Sequence, residues 1–374
     1  MHSFLLLKII ITKWAFIAIF FSSSADATIT QTQTIKLGMS TALSGPAQQI
    51  GEQLAQGSQL YFNRVNNDGG VNGSPIDLII KDDGYEPSNT VVNTRQFIFN
   101  DQVNAIFGSM GTPTASAIKS LLEKHKIPFI MPYTGADFLH NQSMPNVFNL
   151  RASYQDEAKQ QIKYLVQERK HANIGFLIQA DEFGYIVESS LIASLKEYAI
   201  KPVKVARFKR NSEDITKALL ELQQSGVTAV CLVGTYPPLA EFINKAQQLG
   251  FNPDYTSVSF ASSHDLYQHI QKPTNIMVTE VVPNPNTCSN FWCRQFILDM
   301  ADVDPSTPNR VQFEGYLNAV AFTKAIQGCP MPVNNTCIIE QLNQVLSLDN
   351  HLQSLFVDKQ DPSLRQVYRS YFPQ

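Results

Sequence analysis

The chain has 374 residues, which is long enough for two domains of ordinary size. Charged residues make up 16% and hydrophobic residues 44%, a composition that supports buried cores and does not suggest disorder. The formal net charge is −3 and no basic block is present, so a nucleic-acid partner is not expected.

Residues 1–27 have the pattern of a cleaved signal peptide. Lys8 and Lys13 precede the apolar run Trp14–Phe21, and Ala25-Asp26-Ala27 has the form of a cleavage site. A membrane anchor is the alternative, but the run is too short to span a bilayer unless both lysines are counted inside it. We therefore expect secretion, with cleavage near Ala25–Ala27.

Apolar strand-like runs alternate with helical patterns along most of the chain, which predicts an α/β fold with parallel sheets. Nine segments are predicted as strands: Ile35–Ser40, Ile76–Asp82, Ala105–Gly108, Phe129–Pro132, Ile174–Ile178, Pro202–Phe208, Ala229–Gly234, Tyr255–Ser259 and Met277–Val281.

Two breaks in this alternation indicate two Rossmann-like lobes rather than one sheet. Leu150–Ser153 ends the first series, and the Pro/Asn-rich stretch Val282–Asn286 ends the second. We predict lobe 1 at 28–150 plus 282–345 and lobe 2 at 151–281 plus 346–374. The last crossing falls somewhere after 340, because Leu348–Gln374 carries weak signals.

Five cysteines fit an oxidising compartment. Cys288 and Cys293 are separated by four residues, Cys329 and Cys337 by seven, and both pairs lie in Pro/Asn-rich stretches where short disulfide loops close easily. Metal binding is the alternative, but neither pair has C-x2-C spacing or a nearby histidine. Cys231 lies in an apolar strand and is predicted to be a buried free thiol.

A glycine-rich turn follows the third predicted strand. Phe107–Thr114 reads Phe-Gly-Ser-Met-Gly-Thr-Pro-Thr, with Thr112 expected at a helix N-cap and Pro113 at the first helical position. A helix N-terminus at the carboxyl end of a parallel strand suits a carboxylate or phosphate.

Four further predicted strand ends carry polar or aromatic residues. They place Ser44, Thr134 with Gly135, Phe183, and Thr235 with Tyr236 toward one cleft, which is what a pocket for a small molecule needs. Each residue also has a structural interpretation: a turn, a helix cap, a satisfied hydroxyl or a core aromatic. Asp181 and Glu182 fit a solvated surface.

Catalytic and cofactor motifs are absent from the sequence. The seven histidines are scattered, and no nucleophile elbow, Walker loop, His-Glu-x-x-His or Gly-x-Gly-x-x-Gly is present. Asp82 and Asp83 are adjacent on a strand end and are expected to face opposite sides. We therefore expect neither an enzyme nor a cofactor or metal site.

Several strings together resemble the type I periplasmic solute-binding proteins, specifically the branched-chain amino acid (Leu/Ile/Val) receptors of ABC importers. The resemblance runs from about Ile35 to Ala325. It rests on Gly69-Gly70-Val71-Asn72-Gly73, Ile76–Asp83, Gly84-Tyr85-Glu86-Pro87, Leu43-Ser44-Gly45-Pro46 with Gly51, Ile127-Pro128 and Phe183-Gly184.

The resemblance implies two lobes joined by a three-stranded hinge that close on the ligand. It implies a periplasmic monomer that works with an ABC permease in the inner membrane. The ligand carboxylate would meet Thr112 and Thr134–Gly135, and Phe183 would pack on the ligand from lobe 2. Thr235 or Tyr236 would supply a further contact with the ligand. Ile50 would form the lobe 1 wall around the ligand side chain.

Two departures from the family pattern bear on the ligand. The region that supplies an acidic partner for the ligand ammonium in that family reads Ser259-Phe260-Ala261-Ser262 here, with no acid until Asp265. A buried ammonium without a counter-charge is costly, and Asp181 or Glu182 is the alternative partner. The usual lobe 1 disulfide is also missing, because Tyr85 and Gly111 stand at its positions.

The leading hypothesis is therefore a periplasmic binding protein that captures a small carboxylate-bearing solute, an amino acid or a related acid or amide. The alternative is a ligand-sensing receptor subunit for a membrane signalling partner. A secreted enzyme that uses Asp82, Asp83 or Glu86 is the third hypothesis.

Overall fold

The computed structural model describes residues 33–140, 144–301, 303 and 307–373. The predicted signal peptide lies outside the described residues. Within the described ranges, no helix has the length and apolarity needed to cross a membrane.

Lobe 1 is built on a five-stranded parallel sheet with the order β2-β1-β3-β4-β5. Its strands are short and mostly buried, as expected when helices cover both faces of a parallel sheet. They are β1 (Ile35–Thr41), β2 (Ile76–Asp82), β3 (Ala105–Phe107), β4 (Phe129–Ile130) and β5 (Val147–Phe148).

Lobe 2 is built on a six-stranded sheet with the order β11-β10-β9-β8-β6-β7. All neighbours are parallel except β11, which runs antiparallel to β10. The strands are β6 (Ile174–Gln179), β7 (Lys204–Phe208), β8 (Ala229–Val233), β9 (Asp254–Ser257), β10 (Ile276–Glu280) and β11 (Tyr368–Tyr371). The predicted α/β class with two parallel-sheet lobes is confirmed.

Thirteen α-helices connect or cover the strands within the described residues. They are α1 (Gln48–Asn67), α2 (Pro87–Gln96), α3 (Thr112–His125), α4 (Tyr154–Lys163), α5 (Glu182–Lys196), α6 (Thr216–Gln224), α7 (Tyr236–Gln248), α8 (Ser263–His269), α9 (Phe291–Ala301), α10 (Arg310–Ile326), α11 (Asn335–Leu342), α12 (Val345–Leu348) and α13 (Asn350–Phe356).

Helices α1 and α10 pack unusually closely, and this contact returns the chain to lobe 1 after its passage through lobe 2. A Cβ atom added at Gly57 would overlap the carbonyl oxygen of Gln312, and one at Gly315 would overlap that of Leu54. Each helix thus presents a glycine to the backbone of the other. The Ser58 hydroxyl donates to the Gly315 carbonyl oxygen at 3.1 Å and fixes the contact.

The nine predicted strands correspond to β1–β4 and β6–β10, with ends shifted by a few residues at most. Strands β5 and β11 were not predicted. The lobe boundaries at 150, 281 and 345 stay a prediction. Helices α12 and α13 contact α10 and α9, whereas β11 pairs with β10, so we propose that the last crossing lies between Phe356 and Tyr368.

Both predicted cysteine pairs are disulfide-bonded, Cys288 with Cys293 and Cys329 with Cys337. Cys231 is free and fully buried in β8, as predicted.

Candidate functional site

Three buried hydroxyls meet where the two lobes face each other. Thr112 Oγ1 and Thr134 Oγ1, at the carboxyl ends of β3 and β4, are 2.6 Å apart. Thr134 Oγ1 donates to the hydroxyl oxygen of Tyr154, at the start of α4, over 3.2 Å. All three side chains are fully buried. We call these three hydroxyls the hydroxyl triad.

The expected cap at Thr112 is wrong by one residue. Helix α3 begins at Thr112, its N-cap is Gly111, and no side chain caps it. The reason is that the Thr112 hydroxyl bonds to Thr134 instead of to a backbone N–H of its own helix. Burial raises the pKa of Tyr154 to about 12, so the phenol at the end of the triad is neutral and able to donate.

Five aromatic rings, among them the Tyr154 ring of the triad, pack together and join the lobes, and we call them the aromatic cluster. Each is at most 1% exposed. Phe260 is central, with ring centroids 4.7 Å from Phe183, 5.7 Å from Tyr85 and 5.6 Å from Tyr133, and Phe183 lies 5.4 Å from Tyr154. Tyr85 and Tyr133 belong to lobe 1, and the other three to lobe 2.

Tyr85 and Gly111 are in contact. A Cβ atom at Gly111 would overlap the Tyr85 ring, and the backbone there has a φ of +106°, a conformation that glycine adopts without strain. A large ring is thus packed on a residue that has no side chain.

Beneath the cluster, Arg151 links the lobes. Its Nη1 lies 2.9 Å from both carboxylate oxygens of Glu314 on α10, and its Nη2 donates to the Ser259 hydroxyl of lobe 2. Its guanidinium stacks 4.2 Å from the Tyr133 ring centroid. Ser259 also donates through its N–H and hydroxyl to Glu157, whose pKa burial raises to about 7. This buried network holds the hinge side of the cleft.

At the opposite edge, polar contacts hold the lobes together. Arg210 and Asn211 of lobe 2 each lie 2.7 Å from a Glu86 carboxylate oxygen of lobe 1. The Gln179 amide donates to the Tyr85 hydroxyl at 3.4 Å. The two lobes are therefore in direct contact across the cleft.

The predicted ligand-binding residues fall into two groups. Thr112, Thr134, Gly135 and Phe183 lie together in the buried interior. Gly135 accepts a hydrogen bond from the Tyr154 N–H at 2.7 Å, which brings the start of α4 onto the end of β4.

Ser44, Ile50, Thr235 and Tyr236 are not tied to that interior by any hydrogen bond or ring contact among the described residues. Ser44 is exposed and donates to Asp82 at 2.6 Å, and Ile50 is fully buried on α1. Tyr236 packs on His269 and lines an outer groove of about 560 Å³ between α1 and α7. Thr235 is the buried N-cap of α7 and makes no side-chain cap bond.

Sequence reasoning missed Tyr154, Arg151 and the packing role of Phe260. The signal for Phe260 was available, because it occupies the region where an acidic residue was expected. As expected, Asp82 and Asp83 do not share a site: Asp82 accepts from Ser44, whereas Asp83 accepts from the Ser40 hydroxyl at 2.6 Å. Among the residues that the structure describes, no His, Cys, Asp or Glu cluster could hold a metal ion.

Comparison with known proteins identifies the fold. A family model described as periplasmic binding protein matches residues 34–370. A possible leucine/isoleucine/valine-binding protein from Rhodopirellula baltica SH 1 has 30% identity and a TM-score of 0.84, covering 92% of this chain and 95% of that one. A substrate-binding periplasmic protein from Ralstonia solanacearum has 26% identity and a TM-score of 0.83, covering 90% and 97%.

A curated relative is the Leu/Ile/Val-binding protein homolog 7 of Brucella abortus (strain 2308). It is 23% identical over 227 residues, which is 59% of this chain and 57% of the relative. The match therefore spans little more than half the length of that relative.

Proposed function

Since this chain belongs to the periplasmic binding protein family, we propose that it captures a small carboxylate-bearing solute, an amino acid or a related acid or amide, and delivers it to an ABC permease. The hydroxyl triad is the observation that carries the proposal. It combines three buried hydroxyls with the N-terminus of α3 at the meeting point of the lobes, and those are the groups that a carboxylate needs.

Closure of the lobes is the mechanism that we propose for capture. A ligand that reaches the triad through an open cleft gains contacts from lobe 2 only when the lobes approach. Its affinity then depends on how strongly it favours the closed form over the open one. We also propose that the protein acts as a monomer in the periplasm, which light scattering with size-exclusion chromatography tests.

Calorimetry with a panel of amino acids, keto acids, aromatic acids and amides tests the proposed ligand class. A native mass spectrum of the purified protein would identify a ligand retained through purification. Failure of every member of the panel to bind, with no retained small molecule, would contradict the proposal.

A matched pair of variants tests the triad itself. Thr112→Val removes the hydroxyl and keeps the shape, and we expect it to weaken binding by about 1–3 kcal/mol, the cost of leaving a buried polar group unpaired. Thr112→Ser keeps the hydroxyl and is expected to bind nearly as well as the parent protein. Equal affinity of both variants would exclude Thr112 from carboxylate binding.

A further inference from the structure

The outer groove between α1 and α7 is formed by both lobes. It has a volume of about 560 Å³, within the range of pockets that hold small molecules. Helix α1 of lobe 1 lines it with Gln48, Gln49 and Glu52, and lobe 2 lines it with Glu213 and Tyr236. A molecule in the outer groove would therefore contact both lobes.

Two carboxylates, one on each wall of the outer groove, lack an ionic partner. Glu52 accepts a hydrogen bond from Gln48 Nε2 of its own helix at 2.7 Å, and the Glu213 carboxylate makes no hydrogen bond to a described residue. Neither carboxylate forms an ion pair in the described part of the chain, and no lysine or arginine lines the groove there. The approach of the lobes therefore brings like charges together at this groove, whereas elsewhere between the lobes Glu86 lies 2.7 Å from Arg210.

The Tyr236 hydroxyl is a second and independent feature of the outer groove. Tyr236 is only 6% exposed, yet its hydroxyl makes no hydrogen bond to any residue that the structure describes. Burial raises the pKa of Tyr236 to about 12, so the hydroxyl is neutral at physiological pH. The charges of Asp265, Glu213 and Glu52 raise that pKa further, which places the hydroxyl among carboxylates from both lobes. An oxygen atom without a partner in such surroundings suits an N–H donor of a cation and disfavours an anion.

The arrangement of these groups favours an extended organic cation over a metal ion. Within the described ranges, no cluster of His, Cys, Asp and Glu could hold a metal ion, so the carboxylates around Tyr236 do not converge on one point. Glu241 also lines the groove, but it pairs with Lys245 at 2.9 Å. The rings of Tyr236 and His269, with centroids 4.9 Å apart, supply aromatic surface on which an ammonium group and its carbon chain can pack.

We propose that the outer groove is a binding site for an organic cation with two ammonium groups, one paired with Glu52 of lobe 1 and one with Glu213 of lobe 2. One of these ammonium groups also donates a hydrogen bond to the Tyr236 hydroxyl oxygen. The inference goes beyond the proposed function and does not depend on the solute that binds at the hydroxyl triad. Because the cation pairs with both walls, it offsets the repulsion between the two carboxylates when the lobes approach.

Calorimetry at constant ionic strength tests the site on the purified protein. The probes are putrescine and cadaverine, which carry two ammonium groups on short carbon chains, butylammonium, which carries one, and the neutral diol of the same length as putrescine. We expect a diamine to bind at least tenfold tighter than butylammonium, and the diol not to bind. Absence of diamine binding at millimolar concentration, equal binding of butylammonium, or displacement of the diamine by an equal concentration of Mg²⁺ would overturn the inference and leave the proposed function standing.

Matched variants test the residues of the site. Glu52→Gln and Glu213→Gln each remove the charge of one wall, and Tyr236→Phe removes the hydroxyl but keeps the ring. We expect each to weaken diamine binding at least fivefold, and Tyr236→Phe to leave the free energy of unfolding unchanged, because the lost hydroxyl has no partner in the protein. The control is Glu197→Gln, at an exposed residue at the end of α5 and outside the groove, which should bind the diamine like the parent protein. Parent-like binding by either wall variant, or an equal loss in Glu197→Gln, would contradict a site between the two walls.

Discussion

The contact between Gly111 and Tyr85 gives the sharpest prediction for stability. In Gly111→Ala the new methyl group would overlap the Tyr85 ring, with ring atom Cδ2 3.0 Å away, and would lie 2.8 Å from Thr114 Oγ1. The backbone at φ +106° and ψ 150° adds strain of about 1–3 kcal/mol for a residue with a side chain. Overpacking adds about 1–3 kcal/mol more. We expect a total loss of about 2–6 kcal/mol in the free energy of unfolding, measured by urea denaturation followed by circular dichroism.

Gly226→Ala is the matched control. Gly226 also has a positive φ, +73°, but no atom lies within 4 Å of the position that its Cβ would take. Only the backbone cost applies there, about 1–2 kcal/mol. If Gly111→Ala destabilises the protein no more than Gly226→Ala, the tight ring contact is refuted. In a double-mutant cycle with Tyr85→Ala, the part of the Gly111→Ala penalty that comes from the Tyr85 ring should disappear, whereas the part that comes from Thr114 should remain.

Three further predictions concern buried groups away from the triad. Glu314→Gln leaves the Arg151 guanidinium buried without its counter-charge and should cost about 3–5 kcal/mol in urea denaturation; a loss below 1 kcal/mol would contradict this. Burial opposes ionisation of Asp254, but the hydrogen bonds from Arg169 and His171 and the charges of those groups together outweigh burial and lower the pKa of Asp254 below 3.8. Its contribution to stability therefore holds above that pH and is lost as pH falls further. Asp254→Asn should therefore lower the free energy of unfolding at neutral pH, and that free energy should fall less steeply below pH about 4 than in the parent protein. Urea denaturation at a series of pH values measures both effects, and an unchanged fall below pH about 4 would show that Asp254 does not contribute to acid sensitivity. Burial raises the pKa of Cys231 to about 12, so iodoacetamide should label it in urea but not in the native protein, as read by mass spectrometry; rapid native labelling would show that the thiol is accessible.

The sequence predicted the parts of the fold that repeat a strong local pattern. Long apolar runs such as Ala229–Val233 identify central strands, because a strand covered on both faces is apolar throughout. Strand β5 has two residues, and β11 reads Tyr-Arg-Ser-Tyr with only Ser370 buried, so neither leaves such a pattern.

The residues of the candidate site also include some that the sequence could locate and some that it could not. Thr112 and Thr134 could be located because hydroxyls follow two strands whose carboxyl ends lie side by side in a parallel sheet. The hydrogen bonds that join these two hydroxyls to each other and to Tyr154 could not be predicted, because they depend on how α4 of lobe 2 packs against lobe 1. The pairing of Arg151 with Glu314 joins residues 163 positions apart, and no local pattern signals such a contact.

The aromatic cluster also has a consequence for the rate of ligand exchange. Its rings come from both lobes, so separating the lobes exposes apolar ring surface to water, at a cost on the order of 1.5–3 kcal/mol for each ring fully exposed. The ligand-free protein should then spend most of its time closed. Association would be slowed by the waiting time for opening, and a bound solute would leave slowly, which favours scavenging from dilute surroundings over fast turnover.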